Sequence, residues 1–168
     1  TIIGLDGDDY AEGGNGNDSI DGGGGNDTLL GNDGNDTIVG DSGNGSDSIL
    51  GGNGDDSLLG ENADDTIDGG NDDDTAQGGN GDDSIFGGNG DDSVLGGDGN
   101  DSLQGDNGPP GSDSVFGNGD DTIRGGDGDD LIDGANGDDS LDGGDGDDKV
   151  FGYGGEDTVA GGNGEDTL

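Results

Sequence analysis

The aliphatic residues of this chain stand alone and at a fixed interval. Ile67, Ala76, Ile85, Val94 and Leu103 lie nine residues apart, each preceded by Ser or Thr and followed by a variable residue. Between these triplets run stretches of Gly, Asp and Asn, such as GGNGDD at 78–83. A triplet such as Ser84-Ile85-Phe86 predicts a short strand whose middle side chain points one way and its neighbours the other. Gly takes φ > 0 at no steric cost, and Asn and Asp tolerate it, so the intervening stretch predicts a turn. A helix is excluded, because Gly every few residues costs about 1 kcal/mol each time. Collagen is excluded because Gly does not recur at every third position and Pro totals 2.

Written as GGNGDDSIF at 78–86 and GGNGDDSVL at 87–95, the unit repeats from one end to the other. Three leading residues precede copies starting at 4, 13, 22 and 31, and an eleven-residue copy spans 40–50. Six regular copies fill 51–104, a twelve-residue copy 105–116 and an eight-residue copy 117–124. Four regular copies fill 125–160 and a last one ends at 168, making 18 in a single domain, 1–168, with irregular turns at 40–50 and 105–124. The sixth position is Asp in every copy: Asp9, Asp18, Asp27, Asp36, Asp47, Asp56, Asp65, Asp74, Asp83, Asp92, Asp101, Asp113, Asp121, Asp130, Asp139, Asp148, Asp157 and Asp166. The eighth is always aliphatic, from Ile2 to Leu168. An acidic low-complexity tract would scatter its Asp.

Two turns and two strands make one coil of 18 residues. Coils stacked at about 4.8 Å build two short-stranded parallel sheets with the eighth-position aliphatics between them, an all-β solenoid. Eighteen copies predict nine coils and a rod roughly 40–45 Å long.

Composition then poses a problem of cohesion. Asp and Glu total 44 against 2 Lys and Arg, a formal charge of −42, and only 21% of residues are hydrophobic. One buried aliphatic yields about 1.5–3 kcal/mol. That is far below the backbone entropy of nine ordered residues at about 1–2 kcal/mol each. Composition alone predicts disorder, and disorder is the expected metal-free state. Cations can supply what is missing. In a stack, the sixth-position Asp of one copy lies one coil from that of the copy two further on, close enough to share a cation. The turns offer carboxylates and main-chain carbonyls, the oxygen donors that calcium takes six to eight of at flexible geometry. Magnesium is less apt, since it demands a tight octahedron and keeps its waters. An EF-hand is excluded by the lack of flanking helices and of a Glu closing a twelve-residue loop. Pairing each copy with the copy two further on allows up to about 16 ions, which would bring the charge from −42 to about −10.

The same counts narrow the function. The chain has no Cys and no His, so thiol chemistry, disulfides and the usual general base and zinc ligand are absent. The charge repels nucleic acid and anionic membranes, and no stretch approaches the about 20 apolar residues of a span. No shaped pocket or paired acid and base is inferable, so the expectation is a non-enzyme. The chain opens on Thr1 rather than Met and reads as a piece of a longer protein.

The consensus GG-x-G-x-D-x-(aliphatic)-x resembles the RTX nonapeptide repeats of secreted calcium-binding proteins, over essentially the whole chain. The resemblance implies a right-handed parallel β-roll with calcium between adjacent turns, and type I export from a Gram-negative bacterium to the medium or cell surface. It implies that the sixth-position carboxylates bind calcium together with carbonyls of the glycine turns. Those glycines are Gly14, Gly16, Gly23, Gly25, Gly52, Gly54, Gly79, Gly81, Gly88, Gly90, Gly97, Gly99, Gly126, Gly128, Gly144 and Gly146. Three functions stay open. One is a calcium-dependent structural module that folds outside the cell. The second is a self-associating surface-layer, fibre or adhesin component. The third is the C-terminal module of a secreted RTX enzyme or toxin, packing on neighbouring domains.

Departures from the pattern set local expectations. The fourth-position Gly is replaced by Ala63 and Asp72, where φ > 0 would strain Ala. The two extra residues of 40–50 are assigned to Asp41-Ser42, and the segment 105–111, with Pro109-Pro110, is expected to loop out and bind calcium poorly. Strict alternation of copies places the ninth-position residues Ile3, Val39, Leu59, Leu95, Phe116 and Phe151 on one sheet. It places Leu30, Leu50, Phe86 and Ala160 on the other, among Glu12, Asp68, Gln104, Arg124 and Asp142.

Overall fold

A computed structural model of the chain describes residues 1–41, 43–106 and 119–168. Its strands are β1 (Ile2–Ile3), β2 (Tyr10–Asn15), β3 (Ser19–Gly23), β4 (Thr28–Asp33), β5 (Thr37–Asp41), β6 (Ser48–Asn53), β7 (Ser57–Asn62), β8 (Thr66–Asn71) and β9 (Thr75–Asn80). They continue with β10 (Ser84–Asn89), β11 (Ser93–Asp98), β12 (Ser102–Asp106), β13 (Thr122–Asp127), β14 (Leu131–Asp133), β15 (Ser140–Asp145), β16 (Lys149–Phe151) and β17 (Thr158–Asn163). Odd-numbered strands form one sheet and even-numbered strands the other, and every pairing is parallel. Most strands run past their triplet into the first positions of the next turn, as Ser84–Asn89 does.

The core is the double row of eighth-position side chains. Fifteen aliphatics from Ala11 to Val150 are buried, with Ile2 and Val159 partly buried at the two ends. The rows alternate by sheet: Leu58, Ala76 and Val94 follow one another in the first, Ile67, Ile85 and Leu103 in the second. No other apolar layer exists among the described residues, so each coil contributes two core side chains and little more.

Registers locate the insertions. Most partners are 18 apart, as Ser84 and Ser102 are. Thr28 pairs with Ser48 and Thr37 with Ser57, which places two extra residues within 40–50 as expected. They do not begin at Asp41, however. Asp41 lies in β5, in register with Gly23 and Glu61, because a second-position residue is still needed to complete the ladder. Ser42 lies outside the described residues.

The second insertion corrects the assignment of faces. Ser93 pairs with Thr122 and Ser102 with Leu131, partners 29 residues apart, so among the described residues Thr122 takes the place that strict alternation gives to the triplet of the copy at 105–116. The strands wind about eight turns rather than nine, and every later copy changes sheet relative to strict alternation. Arg124, Asp142 and Ala160 therefore share a face with Ile3, Val39, Leu59 and Leu95. Phe151 joins Leu30, Leu50 and Phe86, with Gln104 and Asp133 between. Phe116, Pro109 and Pro110 lie outside the described residues, as does the loop expected around them.

Candidate metal centre

The sixth-position aspartates are brought together in two ladders, one on each side of the roll. The first runs Asp9, Asp27, Asp47, Asp65, Asp83, Asp101, Asp130, Asp148 and Asp166. The second runs Asp18, Asp36, Asp56, Asp74, Asp92, Asp121, Asp139 and Asp157. In each, the backbone N–H of one Asp donates to Oδ1 of the Asp one coil further on, at 2.7–3.1 Å. Asp113 lies outside the described residues. In the two ladders Asp92 donates to Asp121 and Asp101 to Asp130, each 29 residues further on.

One carboxylate oxygen is thus used by the backbone. In seven of these residues the other is stranded. Oδ2 of Asp36, Asp56, Asp74, Asp83, Asp101, Asp130 and Asp148 is buried without a hydrogen-bond partner. A buried anionic oxygen in that position costs free energy unless a cation or donor meets it. The local chain explains how Oδ2 is aimed. It turns back over the first-position glycine of its own copy, beside the first-position carbonyl of the next coil. A Cβ built on Gly69 would fall within 3.0 Å of both Asp74 Oδ2 and Gly87 O, and one on Gly51 within 3.0 Å of both Asp56 Oδ2 and Gly69 O. Carboxylate and carbonyl oxygens therefore converge where only a hydrogen atom now stands.

Burial pushes these carboxyls upward. Asp74 is raised to about 8, Asp130 to about 7, and Asp56 and Asp83 to about 6, chiefly by desolvation and further by neighbouring aspartates in the stack. The N–H bond to Oδ1 opposes the shift without cancelling it. Asp101 and Asp148 move in the same direction for the same reason.

The turn glycines singled out by sequence all adopt φ > 0, from 98° at Gly16 to 152° at Gly146. Their carbonyls look toward the following coil, so that a Cβ on Gly97 or Gly99 would strike Gly79 O or Gly81 O. The replacements Ala63 and Asp72 keep the same backbone, at φ 79° and 76°. Their carbonyls face Gly81 and Gly90 as a glycine's would, so the turn survives the loss of glycine at the cost of strain.

The fifth position was not read from the sequence as part of this machinery. Its side chains form a second ladder that runs the other way. Asp82 N–H donates back to Asp64 Oδ1, Asp91 N–H to Asp73 Oδ1 and Asp147 N–H to Asp129 Oδ1. The signal was present: every fifth-position residue is Asp, Asn, Ser or Glu, each able to accept a hydrogen bond.

The geometry makes a sharp prediction about glycine. Gly69 has no positive φ, yet its missing Cβ is what lets the two oxygens meet. Gly69→Ala forces adjacent coils apart at a backbone contact and is expected to cost about 3 kcal/mol. Gly16→Ala meets nothing within 4 Å and bears only the strain of φ 98°, about 1 kcal/mol. Denaturant midpoints at saturating calcium check the order; equal losses would count against it.

Every donor in these ladders is oxygen, which suits a hard cation of calcium's size. No three carboxylates converge among the described residues, so main-chain carbonyls must complete any shell. Comparison with known families matches the RTX calcium-binding nonapeptide repeat (4 copies) at residues 1–29, 12–45, 41–76, 68–103, 111–141 and 133–168. A search of curated proteins found no match. With the repeat, the parallel roll and the stacked aspartates in agreement over nearly its full length, the chain belongs to the RTX calcium-binding nonapeptide repeat family.

Proposed function

We propose that this chain is a calcium-dependent structural module of a secreted or cell-surface bacterial protein, folding when it meets calcium outside the cell. The observation that carries the reading is the row of buried Oδ2 atoms, of Asp36, Asp56, Asp74, Asp83, Asp101, Asp130 and Asp148, that have no hydrogen-bond partner among the described residues. Calcium supplies the positive charge that the stack lacks. Sixth-position carboxylates of successive coils would hold it, with carbonyls of the turn glycines completing the shell. The intervals between neighbouring aspartates number eight in one ladder and seven in the other, one fewer than strict periodicity allows. Extracellular calcium modules bind at about 10⁻⁴–10⁻³ M, so such a chain stays extended in a low-calcium cytosol and folds in a millimolar medium. An extended polyanion suits passage through a secretion channel. Binding free energy then becomes folding free energy.

Counting bound ions tests the assignment. Asp83 borders two intervals of its ladder, whereas Asp82 is exposed and belongs to the fifth-position ladder. Asp83→Asn is expected to lower bound calcium by about two ions per chain, measured by equilibrium dialysis and elemental analysis with circular dichroism as the check on folding. Asp82→Asn leaves the number unchanged, because an amide oxygen still accepts the Asn100 N–H. Equal counts for Asp83→Asn and the parent chain would remove the sixth position from the site.

A further inference from the structure

Near its C-terminal end the eight-stranded sheet departs from the regularity of the rest. β14 and β16 stop after three residues, where most strands run to five or six. Beyond them the outer surface opens into a cleft of about 290 Å³ lined by Ser102, Gln104, Leu131, Asp133, Phe151 and Tyr153. Gln104, Asp133 and Phe151 are consecutive ninth-position partners across β12, β14 and β16. Two of the walls are aromatic. The rings of Phe151 and Tyr153 have centroids 5.8 Å apart and are tilted by 38°.

Two further features mark this cleft. The first is Asp133, only 6% exposed although it lies on the outward side of its strand. Its Oδ1 accepts the Ala135 N–H, and it makes no ion pair among the described residues. Lys149 sits on the neighbouring strand in register with Leu131, not with Asp133. The second is Tyr153. It holds φ 64° at a second position, where glycine usually stands, and the preceding coil does the same with Ala135 at 71°. A bulky residue in the left-handed region is strained, and here it sets an aromatic ring where most copies carry no side chain.

We propose that this cleft binds a small organic ammonium group, with Asp133 as its counter-ion and the faces of Phe151 and Tyr153 as its walls. A cation within about 6 Å of an aromatic centroid is attracted by the ring quadrupole, and the attraction grows as water is excluded. A chain of charge −42 concentrates cations and repels anions, which disfavours a phosphate or carboxylate ligand. A neutral sugar would leave the buried carboxylate uncompensated. Calcium does not suit the cleft, since one carboxylate among rings and Leu131 cannot provide six to eight oxygens.

Tetramethylammonium is the probe, and neopentyl alcohol, of similar size and uncharged, is its control. Titrations are run on the full chain at saturating calcium and physiological ionic strength, so that the calcium sites and the diffuse ion atmosphere are already satisfied. The readout is saturation transfer from the protein to the methyl protons. In a Tyr10→Phe background, emission of Tyr153, then the only tyrosine in a chain without Trp, provides a second readout. The cation is expected to saturate and the alcohol to show at least about tenfold weaker binding. Asp133→Asn should weaken the cation about tenfold or more, and Tyr153→Gly should abolish saturation transfer while leaving the calcium-bound dichroism intact. Glycine at that φ relieves strain, so loss of the signal there is not loss of the fold. Equal binding of the neutral probe, or an undiminished response in Asp133→Asn, would overturn the proposal.

Discussion

Withdrawal of calcium at pH 7.5 is expected to abolish the parallel-sheet circular dichroism and to swell the chain to the dimensions of an unfolded polyanion. Neighbouring carboxylates in each ladder are one coil apart. At about 4.8 Å and an effective dielectric of about 20, two like charges repel by roughly 3–4 kcal/mol. Against each such contact the core sets one aliphatic side chain, worth about 1.5–3 kcal/mol. The comparison favours unfolding even before chain entropy is counted, and only two basic side chains, Arg124 and Lys149, are available in compensation. Arg124 is engaged with Asp142 at 3.4 Å on the exposed face, away from either ladder. Far-UV dichroism and small-angle scattering with and without EGTA measure the change. Restored calcium should reverse it, and magnesium at the same concentration should not, because it resists exchanging its waters for carbonyls. A spectrum indifferent to EGTA would sink the account of cohesion.

The parts of this architecture legible in the sequence are those fixed by the nine-residue period. The period dictated the coil, the two sheets, the buried eighth position and the aspartate ladders, because each depends only on which residues recur in phase. What it could not dictate was phase across an insertion. The copy at 105–116 carries a sixth-position Asp113 and an aliphatic triplet like any other, yet Ser93 pairs with Thr122, 29 residues on. Sequence pattern alone cannot set the register across copies of irregular length that still bear the motif. The error then spread to Arg124, Asp142, Ala160 and Phe151, each assigned to the wrong face. Direction was also hidden. Both the fifth and sixth positions hold acceptors, but only coordinates show that the sixth receives its N–H from the preceding coil and the fifth from the following one. The cleft at Asp133 was missed for a related reason, since it depends on two strands stopping early, at Asp133 and Phe151, just before Ala135 and Tyr153.

Protons should partly replace calcium, and the direction of that effect is opposite to ordinary acid denaturation. Asp74, Asp130, Asp56 and Asp83 have folded-state values of about 8, 7, 6 and 6, all above the value of 3.8 for an unperturbed Asp. Between pH 3.8 and about 8 the folded form therefore binds more protons than the unfolded form. By linkage, the stability of the metal-free roll falls as pH rises through that window and is regained as pH falls. The cause is plain in the ladders: a protonated carboxyl is no longer a buried charge, no longer repels its neighbour, and can donate to a nearby carbonyl. With calcium present the sign reverses, because protons compete with the metal for the same oxygens and weaken its binding. The two titrations should converge on acidification. A chain dialysed free of divalent metal is expected to be unfolded at pH 8 and to gain sheet dichroism toward about pH 4.5, while the calcium-loaded chain starts folded and loses bound metal over the same range. If the metal-free chain gains no structure on acidification, the buried carboxylates are not what holds it open.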